Sequence, residues 1–238
     1  MIFGDCLAEL KNLPDKSVDL ILSDLPYGTT KCKWDSIIDL DQLWPEFKRV
    51  IKDGRAIVLT ANQPFTSALV MSNPKWFKHE WIWDKVTGRG HLVAKKRPMQ
   101  QHESVVVFGK SGVLYNPQMI PLNKPQKGRA VEASRTEIMG GSTTREQGAV
   151  IRTHKYPKTI QTFSMDKNLG HPTQKPVALF EYLIRTYSNP GDTVLDVTAG
   201  SGTTAVAAIN TGRKFLCFEN DPDYYQLMVD RVKGVQID

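Results

Sequence analysis

The chain has 238 residues, of which 40% are hydrophobic and 24% are charged, with a formal net charge of +6. This length and composition predict one globular domain, or one domain carrying an insertion. No apolar run approaches the roughly 18 residues that cross a bilayer, and the first residues lack the basic and apolar segments of a signal peptide. The three cysteines are scattered without metal-ligand spacing, which favours a cytoplasmic protein with reduced thiols, no metal and no membrane partner.

Positive charge is concentrated in the middle of the chain. Residues 85–170 hold 15 Lys and Arg against 5 Asp and Glu, whereas the rest of the chain holds 16 against 20. Segregation of this kind is typical of a surface that binds a polyanion. Composition alone leaves the partner open between DNA and RNA.

Apolar runs and helical patterns alternate along most of the chain. Strands are predicted at 18–23, 56–60, 79–84, 103–109, 193–197 and 214–219. Helices are predicted at 39–52, 64–72, 176–188, 202–211 and 222–233. Strands that alternate with helices of about three turns are typical of an α/β protein with a doubly wound, mainly parallel sheet.

Two polar and basic segments interrupt this alternation. Residues 111–168 are rich in Gly, Ser and Thr, and an unstructured segment of this length is uncommon inside a compact domain. We predict that it is an inserted region that meets the substrate, between the two parts of a main domain, 1–110 and 169–238. The shorter segment, 85–101, is predicted to be a mobile loop. Disorder is the alternative interpretation of both segments.

A glycine-rich sequence follows the strand at 193–197. Residues 200–205 fit the pattern G-x-G-x-x-A, in which glycines let the backbone approach a ligand and the helix N-terminus offers free amides. Glu219 follows Gly200 by 19 residues, where a carboxylate can accept hydrogen bonds from both ribose hydroxyls. The candidate cofactor-binding residues of this segment are Asp196, Gly200, Ser201, Gly202, Thr203 and Glu219.

The same glycine pattern occurs in nicotinamide dehydrogenases, so it does not define the cofactor by itself. Such enzymes usually carry it near the N-terminus, with a substrate domain downstream. Only 19 residues follow Glu219, too few for that domain. Substrate binding must therefore come from residues upstream.

The tetrapeptide Asp24-Leu25-Pro26-Tyr27 follows the strand at 18–23, at the sheet edge where α/β folds bind ligands. The Asp24 carboxylate and the Pro26 carbonyl can each accept one N–H of an amino group. The Tyr27 ring offers a surface on which a base can stack. A simple strand turn would be the default interpretation of this tetrapeptide alone. Beside a cofactor loop, it predicts a pocket for a flat base with an exocyclic amine, with Asp24, Pro26 and Tyr27 as catalytic residues.

These two motifs, in this order, resemble the β-class amino-group DNA methyltransferases. The tetrapeptide is similar to their (Asp/Asn/Ser)-Pro-Pro-Tyr motif, and His-Pro-Thr-Gln-Lys-Pro at 171–176 is the most specific single match. The resemblance implies a permuted, Rossmann-like methyltransferase fold with S-adenosyl-L-methionine as cofactor. It implies methyl transfer to adenine N6 of a base flipped out of double-stranded DNA, with 111–168 as the target recognition region.

The resemblance also assigns roles to residues. Asp24 would hold the target amine close to the methionine part of the cofactor, and Asp5 and Cys6 would contact the cofactor adenine. Thr173 and Lys175 would help to hold the methionine carboxylate. The expected DNA-binding residues are eleven cations within the two basic segments: Lys95, Lys96, Arg97, Lys124, Lys127, Arg129, Arg135, Arg145, Arg152, Lys155 and Lys158.

The sequence departs from the family pattern at two places. Leu25 replaces the first proline, which leaves both acceptors intact. Val197 and Thr198 replace the usual Pro-Phe before the glycine loop, which removes a ring from the cofactor pocket.

Several alternatives stay open at this point. Cytosine N4 is the second candidate target, although Asp in the first motif position favours adenine. A catalytically weak DNA-binding regulator of the same fold is another candidate. RNA or protein-glutamine methylation is the third, although those families generally place the glycine loop first. The resemblance also leaves open a homodimer and a cognate restriction endonuclease.

Overall fold

The computed structural model describes residues 1–28, 36–127, 151–166 and 174–235. Its strands, β1 to β10 in chain order, are Ile2–Phe3, Val18–Asp24, Ile51–Ala61, Phe77–Arg89, Gln100–Phe108, Ile120–Lys127, Ile151–Lys155, Ile160–Thr162, Thr193–Asp196 and Lys214–Glu219. Its helices, α1 to α6, are Cys6–Lys11, Leu40–Val50, Phe65–Ser72, Val177–Tyr187, Thr203–Asn210 and Pro222–Val235, and a 3₁₀ helix spans His91–Val93. Each strand and helix predicted from the sequence is present, and β3 and β4 are longer than predicted.

Eight strands form one sheet in the order β1-β10-β9-β2-β3-β5-β4-β8. Only β5 runs against its neighbours, because it pairs antiparallel with both β3 and β4. The other pairs are parallel. The prediction of a mainly parallel α/β sheet is therefore confirmed.

Helices cover both faces of the sheet. Successive residues of its central strand β2 point to opposite faces, so β2 contributes to a core layer on each side. Ile21 packs in a core layer with Leu43 and Phe47 of α2. Leu20 and Leu22 pack in a second layer with residues of α4 and α5. The strand is therefore apolar along nearly its whole length, as expected for a parallel strand buried on both faces.

Strands β2 and β9 pair side by side although the chain between them is long. Leu20 lies opposite Val194 and Ile21 lies opposite Leu195. The chain continues from β2 to β3 on one side, whereas β9 and β10 lie on the other. In open α/β sheets, ligands bind in the crevice at the carboxyl ends of two such strands. Both sequence motifs therefore lie at one edge of the sheet.

Residues 117–158 form a compact unit of their own, and the rest of the chain forms the other unit. Within the smaller unit, β6 and β7 pair antiparallel. The alternative interpretation of 111–168 as disordered does not hold for its described residues, since β6, β7 and β8 all fall inside the segment. The role of this segment in target recognition stays a prediction.

The expectation of a loop at 85–101 was wrong at both ends. Strand β4 continues to Arg89 and β5 starts at Gln100, and these two residues pair across the hairpin. Backbone pairing continues there because a hairpin ladder needs no apolar side chains at its exposed end. Only the tip, which contains the 3₁₀ helix, lies outside the strands.

Across the parts of the chain that the structure describes, no helix is long and apolar enough to span a membrane. The same residues include no cluster of His, Cys, Asp and Glu that could hold a metal ion.

Gly202 is the glycine on which the packing of α5 against α6 most depends. It has a φ of +81°, and a Cβ atom built on it would lie 2.6 Å from Met228 Cγ. We expect Gly202→Ala to lower the free energy of unfolding in urea by about 2–4 kcal/mol, because it combines backbone strain with overpacking.

Two other glycines separate these effects. Gly191 has a φ of +84° but open space around its Cβ position, and Gly112 has open space without that φ. Gly191→Ala should therefore cost about 1–2 kcal/mol and Gly112→Ala close to zero. Equal costs at positions 191 and 202 would contradict the role of Met228.

Candidate active site

Most of the predicted catalytic and cofactor-binding residues line one cavity of about 880 Å³ at the carboxyl edge of the sheet, but Gly202 does not. A volume of this size is typical of a site for a small molecule or cofactor. The predicted residues that line it are Asp5, Cys6, Asp24, Pro26, Tyr27, Lys175, Asp196, Gly200, Ser201, Thr203 and Glu219. Their roles in binding and catalysis stay proposals.

Asp24 ends β2 and is held by three side chains. Its Oδ1 atom accepts a hydrogen bond of 2.6 Å from the Tyr27 hydroxyl and another from the Thr60 hydroxyl. Its Oδ2 atom accepts a hydrogen bond of 2.6 Å from Lys175 Nζ. A carboxylate has about four lone-pair positions, so one position on Oδ2 is left for a further donor.

Tyr27 is fixed by its hydroxyl and by its ring. The ring stacks on Phe65 with centroids 5.5 Å apart and an interplanar angle of 25°. Burial and the nearby Asp24 carboxylate raise the pKa of Tyr27 well above its usual value. The hydroxyl therefore stays protonated and donates to Asp24.

Lys175 joins two carboxylates in the wall of the cavity. Its Nζ atom lies 2.6 Å from Asp24 and 3.4 Å from Glu103 Oε2. Glu103 also forms an ion pair with Lys85. Burial lowers the pKa of Lys175, but the two carboxylates outweigh that effect and the net pKa is raised. The sequence analysis missed this cluster, because it assigned Lys175 to the methionine carboxylate and gave Glu103 no role.

The Glu219 carboxylate organises the backbone around the glycine loop. Its Oε2 atom accepts from the Gly200 amide at 2.7 Å, and its Oε1 atom accepts from the amides of Asn220 and Asp221 at 2.9 and 2.8 Å. One lone-pair position of the carboxylate is left by this count. Glu219 therefore fixes the loop and still faces the cavity.

Asp196 is buried at the end of β9 and points into the turn that follows. It accepts hydrogen bonds from the Thr204 hydroxyl and from the Thr198 amide, the latter at 3.1 Å. Burial raises the pKa of Asp196 to about 7. These bonds connect strand β9 to helix α5 and shape the glycine loop.

Arg231 of α6 holds the other side of the glycine loop. Its guanidinium donates to the Ser201 carbonyl at 2.6 Å and to the Gln174 side chain at 3.1 Å. The Ser201 hydroxyl donates to the same Gln174 oxygen at 2.9 Å. The sequence analysis assigned no contact to Arg231, because its partner Ser201 lies 30 residues away.

The second departure from the family pattern, Val197 and Thr198, connects the two motifs. The Thr198 hydroxyl donates to the Asp24 backbone carbonyl at 3.0 Å, and the Val197 amide donates to the Ser23 hydroxyl at 3.0 Å. Val197 is itself buried in the core. In this chain, a hydroxyl therefore links the glycine loop to the tetrapeptide.

Asp5 and Cys6 lie at the start of α1, which the sequence analysis did not predict. The Asp5 carboxylate caps this helix by accepting from the Ala8 amide at 3.0 Å. Burial, followed by the charge of Asp5, raises the pKa of the Cys6 thiol to about 11. The thiol is therefore an uncharged wall of the cavity.

The described cations among the predicted DNA-binding residues are exposed. Lys95, Lys96 and Arg97 follow the 3₁₀ helix of the larger unit. The exposed cations of the smaller unit are Lys124, Lys127, Arg152, Lys155 and Lys158. Of the residues considered in the sequence analysis, five lie outside the described ranges: Arg129, Arg135, Arg145, His171 and Thr173.

Comparison with known proteins identifies the family of this fold and cavity. Residues 18–230 match the family model of the N6/N4 type described as DNA methylase. The DNA adenine methyltransferase YhdJ of Escherichia coli K12 is 33% identical over 98% of this chain and 82% of its own length. The type II methyltransferase M1.MboII of Moraxella bovis is 30% identical over 92% and 91% of the two chains.

A solved structure supports the fold. The M1.HpyAVI complex with S-adenosylmethionine superposes with a TM-score of 0.64 at 23% identity, covering 97% of this chain and 98% of the other. Because the family model spans most of the sequence, the chain belongs to the N6/N4 DNA methylase family.

Proposed function

We propose that this protein transfers a methyl group from S-adenosylmethionine to adenine N6 of a base flipped out of duplex DNA. The main support is the position of Asp24, whose carboxylate faces the same cavity as the glycine loop. The similarity to an adenine methyltransferase supports adenine as the target.

The cavity offers two acceptors to an incoming amino group. One is the lone-pair position that Tyr27, Thr60 and Lys175 leave on Asp24 Oδ2. The other is the carbonyl of Pro26, a residue that has no backbone N–H. Two acceptors at fixed positions would orient both N–H bonds and leave the nitrogen lone pair directed away from them.

The cofactor supplies a methyl group on a sulfonium, whose sulfur takes the electron pair of the breaking C–S bond as the amine nitrogen forms the new C–N bond. The protein contributes mainly alignment and charge. Asp24 orients the amine and stabilises the positive charge that develops on it. The methylated amine then loses one proton to water.

The identity of the modified base tests the proposal directly. We expect DNA treated with the protein and S-adenosylmethionine to contain N6-methyladenine, as measured by nucleoside analysis after digestion. N4-methylcytosine without N6-methyladenine would move the target to cytosine. Cognate DNA binding without cofactor binding in calorimetry would favour the DNA-binding regulator, and methylation of RNA alone would contradict the DNA substrate.

The second test removes the negative charge of the tetrapeptide. We expect Asp24→Asn to reduce turnover roughly 10²-fold or more, because the amide cannot stabilise a developing positive charge. DNA affinity in a gel-shift assay should change little. Asp53→Asn, on an exposed residue paired with Lys16, is the matched control. Near-normal turnover of the Asp24 variant would contradict the orienting role.

We propose that the exposed cations of the tip segment 94–99 bind DNA, and that the exposed cations of the smaller unit do so as well. These residues would pair with phosphates, so affinity would fall steeply with salt. We further propose that sequence readout lies in 111–168 and that the enzyme acts in the cytoplasm. A homodimer and a cognate restriction endonuclease, both of which the family resemblance leaves open, are the proposed protein partners.

A further inference from the structure

Glu103 is a buried carboxylate of the cavity that the proposed methyl transfer does not use. It lies near the start of β5 and is 8% exposed. Its Oε1 atom pairs with Lys85. Its Oε2 atom lies 3.4 Å from Lys175 Nζ and has no hydrogen-bond partner among the described residues. A buried oxygen without a hydrogen bond costs stability, so its presence beside the reacting groups points to a function.

Glu103 belongs to a cluster of four charges that sum to zero. The carboxylates of Asp24 and Glu103 alternate with the ammonium groups of Lys175 and Lys85. The side chains of Lys175, Glu103 and Lys85 are only 6, 10 and 11% exposed. Charges that water screens this little act strongly on a bound ligand.

This balance matters because the proposed reaction is itself cationic. The cofactor enters with a sulfonium, and the target amine becomes positive as it is methylated. Without Glu103, the two lysines would outnumber Asp24, and this cluster of charges would carry one net positive charge. That charge would repel both the sulfonium and the methylated amine.

We infer that Glu103 is a positioning residue of the methyl-transfer site. It neutralises Lys175, so that Asp24 remains available to the target amine and the site accepts a sulfonium. This inference rests on the proposed function, because it concerns the same cavity and cofactor.

The test compares two ligands that differ in charge at sulfur. S-adenosylmethionine carries a sulfonium, whereas S-adenosylhomocysteine has a neutral sulfur. We expect Glu103→Gln to weaken the binding of S-adenosylmethionine, relative to that of S-adenosylhomocysteine, on the order of tenfold in calorimetry, which is the scale of one unit charge in a partly buried site. Glu103→Asp should retain the wild-type ratio. Glu80→Gln, the loss of a carboxylate on β4 that does not line the cavity, is the matched control.

Removing a second charge separates electrostatics from packing. In the double variant Glu103→Gln with Lys85→Met, the remaining charges of Asp24 and Lys175 again sum to zero, so the affinity ratio should recover. Equal weakening of both ligands by Glu103→Gln, or no recovery in the double variant, would overturn the inference. Failure of the wild-type protein to bind either ligand would instead contradict the proposed function.

A separate observation concerns Leu92 at the tip of the β4–β5 hairpin. Because β3 and β4 both run antiparallel to β5, β4 ends at the same sheet edge as the cavity. Arg89 at the end of β4 lines the cavity. Leu92 follows within the 3₁₀ helix and is fully exposed at 102%.

The tip is an ordered turn rather than an open chain. The Val93 amide donates to the Gly90 carbonyl at 3.0 Å, and the Arg97 amide donates to the Val93 carbonyl at 3.1 Å. Single exposed apolar residues are common. This one differs because a hydrogen-bonded turn presents it beside three cations, at the edge where a duplex would have to deliver its base. Apolar side chains in such settings insert between base steps.

We infer that Leu92 fills the space that the target base leaves in the duplex. This inference also rests on the proposed function. The cations Lys95, Lys96 and Arg97 would hold the phosphates on either side of that space.

The test uses an unmethylated duplex that contains the sequence methylated by the wild-type protein. In this duplex, 2-aminopurine replaces the target base, and its fluorescence reports base flipping. We expect Leu92→Ala to reduce the fluorescence gain and to lower turnover on paired adenine on the order of tenfold. On a target adenine opposite an abasic site, where flipping costs less, the loss should shrink to about twofold. Leu92→Met should behave like the wild type.

Met71→Ala removes another exposed apolar side chain, 72% exposed on α3 and not part of the cavity, and serves as the control. Unchanged fluorescence and turnover in Leu92→Ala, or an equal loss on both substrates, would overturn the role of Leu92. Absence of methylation by the wild-type protein would instead contradict the proposed function.

Discussion

The parallel pairing of β2 with β9 is the constraint on which the active site depends. It places Asp24 beside the glycine loop, although the two motifs lie about 170 residues apart in sequence. Two hydrogen bonds then fix the motifs to each other, from the Val197 amide to Ser23 and from the Thr198 hydroxyl to the Asp24 carbonyl. A shift of one residue in this pairing would turn every side chain of β2 to the opposite face, so the register of one strand pair determines the geometry of the site.

The acidic residues around the cavity divide into two physical roles. Glu219 accepts hydrogen bonds from three backbone amides, and Asp196 accepts from one amide and one hydroxyl, so both carboxylates shape the glycine loop. Asp24 and Glu103 instead balance two buried ammonium groups. Buried charges are stable only when paired and hydrogen-bonded. Among the described residues of that cluster, Glu103 Oε2 is the buried oxygen without a hydrogen bond.

The sequence predicted the parts of the fold and site that short-range patterns encode. Strand β2, the glycine loop and Glu219 were found because apolar runs, glycine spacing and strand-to-helix turns are local signals. The contact of Lys175 with Asp24 was missed because it joins residues 151 positions apart, and no local pattern records which lysine meets which carboxylate. Strand β8 was missed because it has only three residues and forms by pairing with β4. Helix α1 is too short for helical periodicity to be recognised.

The strands that end at this edge of the sheet have different surroundings there. The ends of β2 and β9 line a partly enclosed cavity that contains paired charges. At β4 the chain continues outward as a hairpin whose tip carries exposed cations and an exposed leucine. Electrostatic interactions are stronger where water is partly excluded, which suits the transfer of a methyl group from a positively charged sulfonium. Exposure keeps the cations of the tip in contact with water. One strand direction therefore puts both environments at the same edge of the sheet.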